Sequence, residues 1–158
     1  IPSSAASDVY KRQILKDSMN LYGSTMFGDS NISRFDSELL AVVTSMSNEC
    51  EYWIRAHLFD LRSETTNQKL VDEIADDWST SSLTKTQMAM CNFAKKLTET
   101  PSKVNENDIQ TLRDLDLTDK DISQIVQIIA YFNYINRVAD GLGLEPENFI
   151  DKKGYKSK

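Results

Sequence analysis

Apolar residues recur at helical spacing along almost all of this chain, and no useful stretch alternates apolar with polar residues. A period near 3.6 selects helices, whereas a half-buried strand needs a period of two. The expected fold class is therefore all-α, with about six or seven helices. A first helix is expected to close over Ser18–Tyr22, before Gly23 and Gly28. Ser33-Arg34-Phe35-Asp36 resembles a capping box and starts a helix from about Arg34 to Ser47. Its interior, Glu38-Leu39-Leu40-Ala41-Val42-Val43, is apolar almost all round, which predicts a central helix. After a break at Asn48-Glu49-Cys50, a helix from Glu51 to Leu61 aligns Trp53, Ile54, His57, Leu58 and Leu61 on one stripe. Further starts are read at Thr66 or Asn67, at Thr84, at Asn105 and at Thr118, the last helix reaching about Leu142.

Charge and composition exclude several classes. With 158 residues, 18 Lys+Arg and 24 Asp+Glu, the net charge of -6 argues against a nucleic-acid-binding face. The longest apolar runs, Leu39 to Val43 and Ile128 to Phe132, are too short to span a bilayer, so no membrane partner is expected. Two cysteines, Cys50 and Cys91, are too few for a disulfide framework and make a reducing cytoplasm the default compartment. No metal-ligand spacing or phosphate-binding glycine loop is present, so neither a metal nor a cofactor is expected. Residues Asp8-Val9-Tyr10-Lys11-Arg12-Gln13 resemble one reading frame of a transposon adapter used in DNA library preparation. Residues 1–13 are accordingly expected to be non-native, 14–147 to form one domain, and 148–158 to be a flexible tail.

Three residues carry candidate chemistry. Glu38 sits mid-helix among apolar neighbours, Cys50 opens the next helix twelve residues later, and His57 is the one histidine of the chain. A thiol at a helix N-terminus is expected to gain thiolate character from unpaired N–H groups. A carboxylate in an apolar helix needs a partner. The spacing alone also fits an ion-paired glutamate, a small buried cysteine and a satisfied core histidine. Cys91, in an amphipathic helix, reads as a core thiol. Asn133, Asn136, Arg137 and Asp140 share helix faces at i+3 and i+4, either lining a cavity or tying the last helix to its neighbours.

The stretch Ser33–Ser45, then Asn48-Glu49-Cys50-Glu51-Tyr52-Trp53 and Ala56-His57, resembles the AhpD-like alkylhydroperoxidases of the carboxymuconolactone decarboxylase-like superfamily. The nearest resemblance is to the peroxidase-related enzymes. Phe93-Ala94-Lys95-Lys96-Leu97-Thr98 before Pro101, and the run Ile125 to Gly143, extend it over roughly residues 24 to 146. The resemblance implies a helical homo-oligomer and an oxidoreductase that reduces hydroperoxides, with an external thiol as reductant. Active members use a Cys-x-x-Cys pair, a downstream histidine and an upstream glutamate. Glu38, Cys50 and His57 fall on three of those places, and Tyr52 on an intervening one. Trp53 stands where the second, attacking cysteine is implied. His57 is one turn from position 53 but i+7 from Cys50, about 10 Å along the axis. The resemblance therefore implies thiol-dependent peroxide reduction that is weakened or altered. Alternatives are a non-redox pseudoenzyme or small-molecule-binding oligomer, or acid–base decarboxylase or isomerase chemistry with His57 and Glu38.

Overall fold

The computed structural model describes residues 5–157, with side chains from residue 12. Most of the segment expected to be non-native, 1–13, lies outside the described side chains. Seven α-helices follow one another among the described residues: α1 (Ala5–Met26), α2 (Arg34–Ser47), α3 (Glu51–Ser63), α4 (Gln68–Asp77), α5 (Lys85–Glu99), α6 (Glu106–Arg113) and α7 (Asp119–Leu142). None is long and apolar enough to cross a membrane.

The all-α expectation holds, and α2 is the central helix. Nine consecutive residues, Ser37 to Ser45, are buried on it. It packs against α3, α5 and α7, and α1 lies along α7. Leu39, Leu40, Leu58, Leu61, Ile125, Ile128, Ile129 and Phe132 fill the space between these helices. Burying one such side chain contributes about 1.5–3 kcal/mol, which is why α2 can carry polar residues into the same layer.

The starts are set by caps. Thr84, Asn105 and Thr118 each form a reciprocal capping box with Gln87, Asp108 and Asp121. Ser33 accepts from the Asp36 N–H, but the Asp36 carboxylate turns to the Ser33 hydroxyl (2.7 Å) and to Gln87 (2.8 Å). Thus the α2 start is also tied to α5.

Two departures are non-local in origin. Helix α1 continues past Tyr22 and Gly23 to Met26. Ser18 bonds the Tyr131 hydroxyl at 3.2 Å, and Tyr22 packs on the Tyr131 ring. Packing on α7 outweighs the roughly 1 kcal/mol cost of a helical glycine. In place of the frayed tail expected after Glu147, residues 150–156 make a turn closed by an Ile150–Lys156 bridge. Ile150 is buried, and Gly154 sits at φ +76° against the Leu58 backbone, where a Cβ would lie 2.5 Å from a backbone carbon. The Arg62 guanidinium covers the Tyr155 ring at 3.5 Å and donates to the Lys153 carbonyl at 2.8 Å.

Candidate active site

The site begins at the α2–α3 junction. Asn48 ends α2, and Glu49 adopts φ +55°. The Glu49 N–H donates to Met46 and the Cys50 N–H to Ser45, both at 3.0 Å. This is the paired-bond ending that a left-handed residue permits. Cys50 is then the N-cap of α3. One residue closes one helix and opens the next.

Glu38 and His57, wholly buried at 0% and 2% exposure, meet across the two helices. Glu38 Oε2 lies 2.6 Å from His57 Nδ1, and Glu38 Oε1 accepts from Arg34 Nη2 at 2.6 Å. A carboxylate only accepts, so Nδ1 carries a proton, and in the neutral imidazole Nε2 is then the acceptor. Nε2 is buried without a hydrogen-bond partner among the described residues. Of the three residues singled out in the sequence, the structure joins Glu38 and His57 directly. The sequence reading missed Arg34, although Arg34 and Glu38 are i, i+4.

Trp53 covers one face of the His57 ring. Its indole stacks on the imidazole with centroids 5.4 Å apart, and its Nε1–H donates to the Ile135 carbonyl at 3.2 Å. Phe132 closes the imidazole from another side, edge-on at 4.6 Å. Tyr52 packs edge-on against Trp53 at 5.0 Å. Tyr22 of α1 is near enough to feel this cluster. Burial first, then the Glu38 and Asp60 charges, push its hydroxyl up to about 12.

Cys50 is brought near these residues but not into their hydrogen-bond chain. Its Sγ donates to the Asn136 carbonyl at 3.8 Å and is fully buried. Burial pushes the thiol up to about 11, outweighing the Trp53 and Tyr52 backbone N–H groups, while Asp140 raises it further. The expected thiolate-favouring helix start is thus overturned by desolvation. Cys91 is a core thiol, pushed up to about 12 chiefly by burial. The sign for stability follows. Both folded-state values exceed those of free cysteine, so the contribution is full below about pH 8.5. It is lost as pH rises through about 11 to 12. Urea unfolding is therefore expected to show stability falling between pH 9 and 11, with Cys50→Ser flattening that slope. An unchanged slope would place Cys50 in a wetter setting.

Asn133, Asn136 and Arg137 form a network away from Nε2. Asn48 Nδ2 donates to Asn133 Oδ1 (3.2 Å) and Asn136 Oδ1 (3.1 Å). Asn136 donates to Ser45 Oγ (3.2 Å), Asn133 to Thr98 Oγ1 (3.0 Å), and Arg137 to Asn133 Oδ1 (3.1 Å). These bonds tie α7 to α2 and α5. Glu38, His57 and Asp60 each offer a metal-type ligand atom, all within 4.8 Å of one another. Yet Arg34 already holds one Glu38 oxygen and Nδ1 the other. The cluster is a hydrogen-bonded ion group, and the free imidazole nitrogen is on the other side of the ring. A groove of about 540 Å³ between α5 and α6, lined by Met88, Phe93 and Leu112, is separate from it.

A central buried helix thus presents a Glu–His pair to the next helix, within an all-α domain. The sequence matches no protein-family model and no curated protein. Among solved structures, an uncharacterized peroxidase-related protein from Silicibacter sp. TM1040 is 30% identical with TM-score 0.81. The match covers 85% of this chain and 70% of that one. An uncharacterized peroxidase-related protein with an alkylhydroperoxidase AhpD core, from Ralstonia eutropha JMP134, is 28% identical with TM-score 0.83. That match covers 88% of this chain and 73% of that one. A protein of unknown function from Agrobacterium tumefaciens, 20% identical with TM-score 0.73, covers 86% and 92% and shares the fold. The chain belongs to the AhpD-like superfamily, among its peroxidase-related proteins.

Proposed function

We propose that this protein keeps the proton-transfer half of a thiol-peroxidase site and has lost most of the thiol half. The observation that carries this reading is the Trp53 indole stacked on His57, where the resemblance implies an attacking sulfur. Cys50 is the remaining nucleophile. In a one-cysteine cycle its sulfur attacks the peroxide O–O bond, becomes a sulfenic acid and releases an alcohol or water. An external thiol then displaces water to form a mixed disulfide, and a second one regenerates Cys50. A thiol at about 11 holds roughly one thiolate in ten thousand at pH 7. Hydroperoxide reduction is therefore slow.

Peroxide consumption with excess dithiothreitol tests this reading. Hydrogen peroxide and cumene hydroperoxide should disappear at rates within twofold of each other for the wild type and Cys50→Ser. A wild-type rate more than tenfold above Cys50→Ser would show a working thiol and overturn the reading.

One observation favours a second reading. Nε2 is a buried nitrogen with no partner among the described residues, on an imidazole fixed by a carboxylate. That is the arrangement of a general base, and it suits proton abstraction from a small-molecule substrate without sulfur. Such a substrate would reach Nε2 by displacing Trp53, so quenching of tryptophan fluorescence on binding distinguishes it from a peroxide.

A further inference from the structure

Arg34 makes contacts that neither its own helix nor the Glu38 pair accounts for. Besides Glu38 Oε1, its Nη1 donates to the Met26 carbonyl at 2.9 Å. Its guanidinium lies 4.0 Å from the centroid of the Phe27 ring, and Nε lies 3.8 Å from Glu64 Oε1. Two of these partners belong to the end of α1 and the residue after it. The arginine is thus held from α1, α2 and the α3 cap at once, with one face on the buried carboxylate.

We propose that Arg34 is a positioning residue that keeps His57 Nε2 an unprotonated acceptor, and that α1 exerts this control by anchoring the guanidinium. The inference rests on the reading of Glu38 and His57 as a proton-transfer pair. Its physical basis is charge balance in a desolvated place. Within the dry part of the site, Arg34 with ionised Glu38 and neutral His57 sums to zero, while Asp60 and Glu64 are partly exposed and screened by water. Without the guanidinium, the pair is left with one buried negative charge, which is costly in low dielectric. Taking up one proton restores neutrality in either of two ways. Glu38 stays ionised beside a doubly protonated imidazolium, or protonated Glu38 donates to Nδ1 and the imidazole proton moves to Nε2. Both outcomes put hydrogen on Nε2. Arg34 engaged makes Nε2 a base; Arg34 withdrawn makes it a donor.

The other carboxylates near the pair favour a proton on the imidazole whether or not Arg34 is engaged, so Arg34 is the charge that opposes it. Asp60 of α3 lies 3.8 Å from Nδ1, and Glu64 caps the same helix beside Arg34. Tyr22 of α1 is near enough for the Glu38 and Asp60 charges to raise its hydroxyl further, after burial. None supplies a second positive charge.

The one histidine makes the test unambiguous. Imidazole nitrogen resonances of the labelled full chain at neutral pH report which nitrogens carry protons. The wild type is expected to show hydrogen on Nδ1 and none on Nε2. Arg34→Met and Arg34→Gln should show Nε2 protonated in nearly every molecule, and Arg34→Lys should return the wild-type pattern. Arg34→Gln keeps donors for Met26 and Glu38, so it carries the test if Arg34→Met does not fold. A folded Arg34→Gln with bare Nε2 overturns the role of Arg34 and leaves the pair reading intact. Wild-type protein with hydrogen on Nε2 overturns the pair reading itself.

Discussion

Trp53→Cys is expected to form a disulfide between Cys50 and the new thiol within seconds of adding one equivalent of peroxide. Position 53 is one helical turn from His57, on the face where the indole now stacks. A thiol there would meet Nε2, which has no partner among the described residues, and give up its proton to it. The new thiolate attacks the peroxide, and the resulting sulfenic acid condenses with the Cys50 thiol to release water. A positioned base contributes about 10²- to 10⁴-fold, so peroxide consumption should rise at least a hundredfold over the wild type. Titratable thiols in the denatured variant should fall from three to one, with buried Cys91 untouched. Removing the indole also loses its contacts with His57 and Phe132, at a cost of about 3 kcal/mol by analogy with other large-to-small core changes. A folded variant that keeps three thiols after peroxide would mean that Cys50 cannot leave the Asn136 carbonyl. The divergence would then extend beyond position 53, and the non-sulfur reading would gain.

The second large effect is on stability. Glu38→Ala removes the acceptor for both Arg34 Nη2 and His57 Nδ1. Breaking one side of a buried ion pair costs about 3–5 kcal/mol, because the remaining partner is stranded. Arg34 is about one-third exposed and can turn partly to water, which places the expected loss near the lower end, about 3 kcal/mol. Glu38→Gln keeps an acceptor oxygen and should lose less. The double change Glu38→Leu with Arg34→Met removes both charges and should recover much of the loss. Urea unfolding measures all three. A Glu38→Ala loss below about 1 kcal/mol would mean that water replaces the carboxylate, contrary to a dry site.

The helices themselves were legible because each is announced locally. Thr84, Asn105 and Thr118 cap where their side chains predict, and the apolar run Leu39–Val43 is buried throughout. The pairing of Glu38 with His57 was legible through resemblance, and their 2.6 Å contact has a physical reason in the burial of both. What the sequence hid was contributed from far along the chain. The helix-start rule favours a Cys50 thiolate, but the Asn136 carbonyl and Asp140, from α7, join with burial to reverse it. Arg34 was legible only as the start of a capped helix, because the Met26 carbonyl and the Phe27 ring that hold it come from the end of α1 and the residue after it. The tail was read as frayed because its polar composition says nothing of Gly154 seated on Leu58.

The junction at Asn48-Glu49-Cys50 has a consequence for length. Since Cys50 ends one helix and begins the next, no slack separates α2 from α3. Inserting one residue into α3 ahead of His57 would turn that side chain by about 100° and advance it about 1.5 Å, away from Glu38. Insertions and deletions between positions 38 and 57 would thus separate the pair. The number of residues between the glutamate and the histidine is therefore itself part of the site.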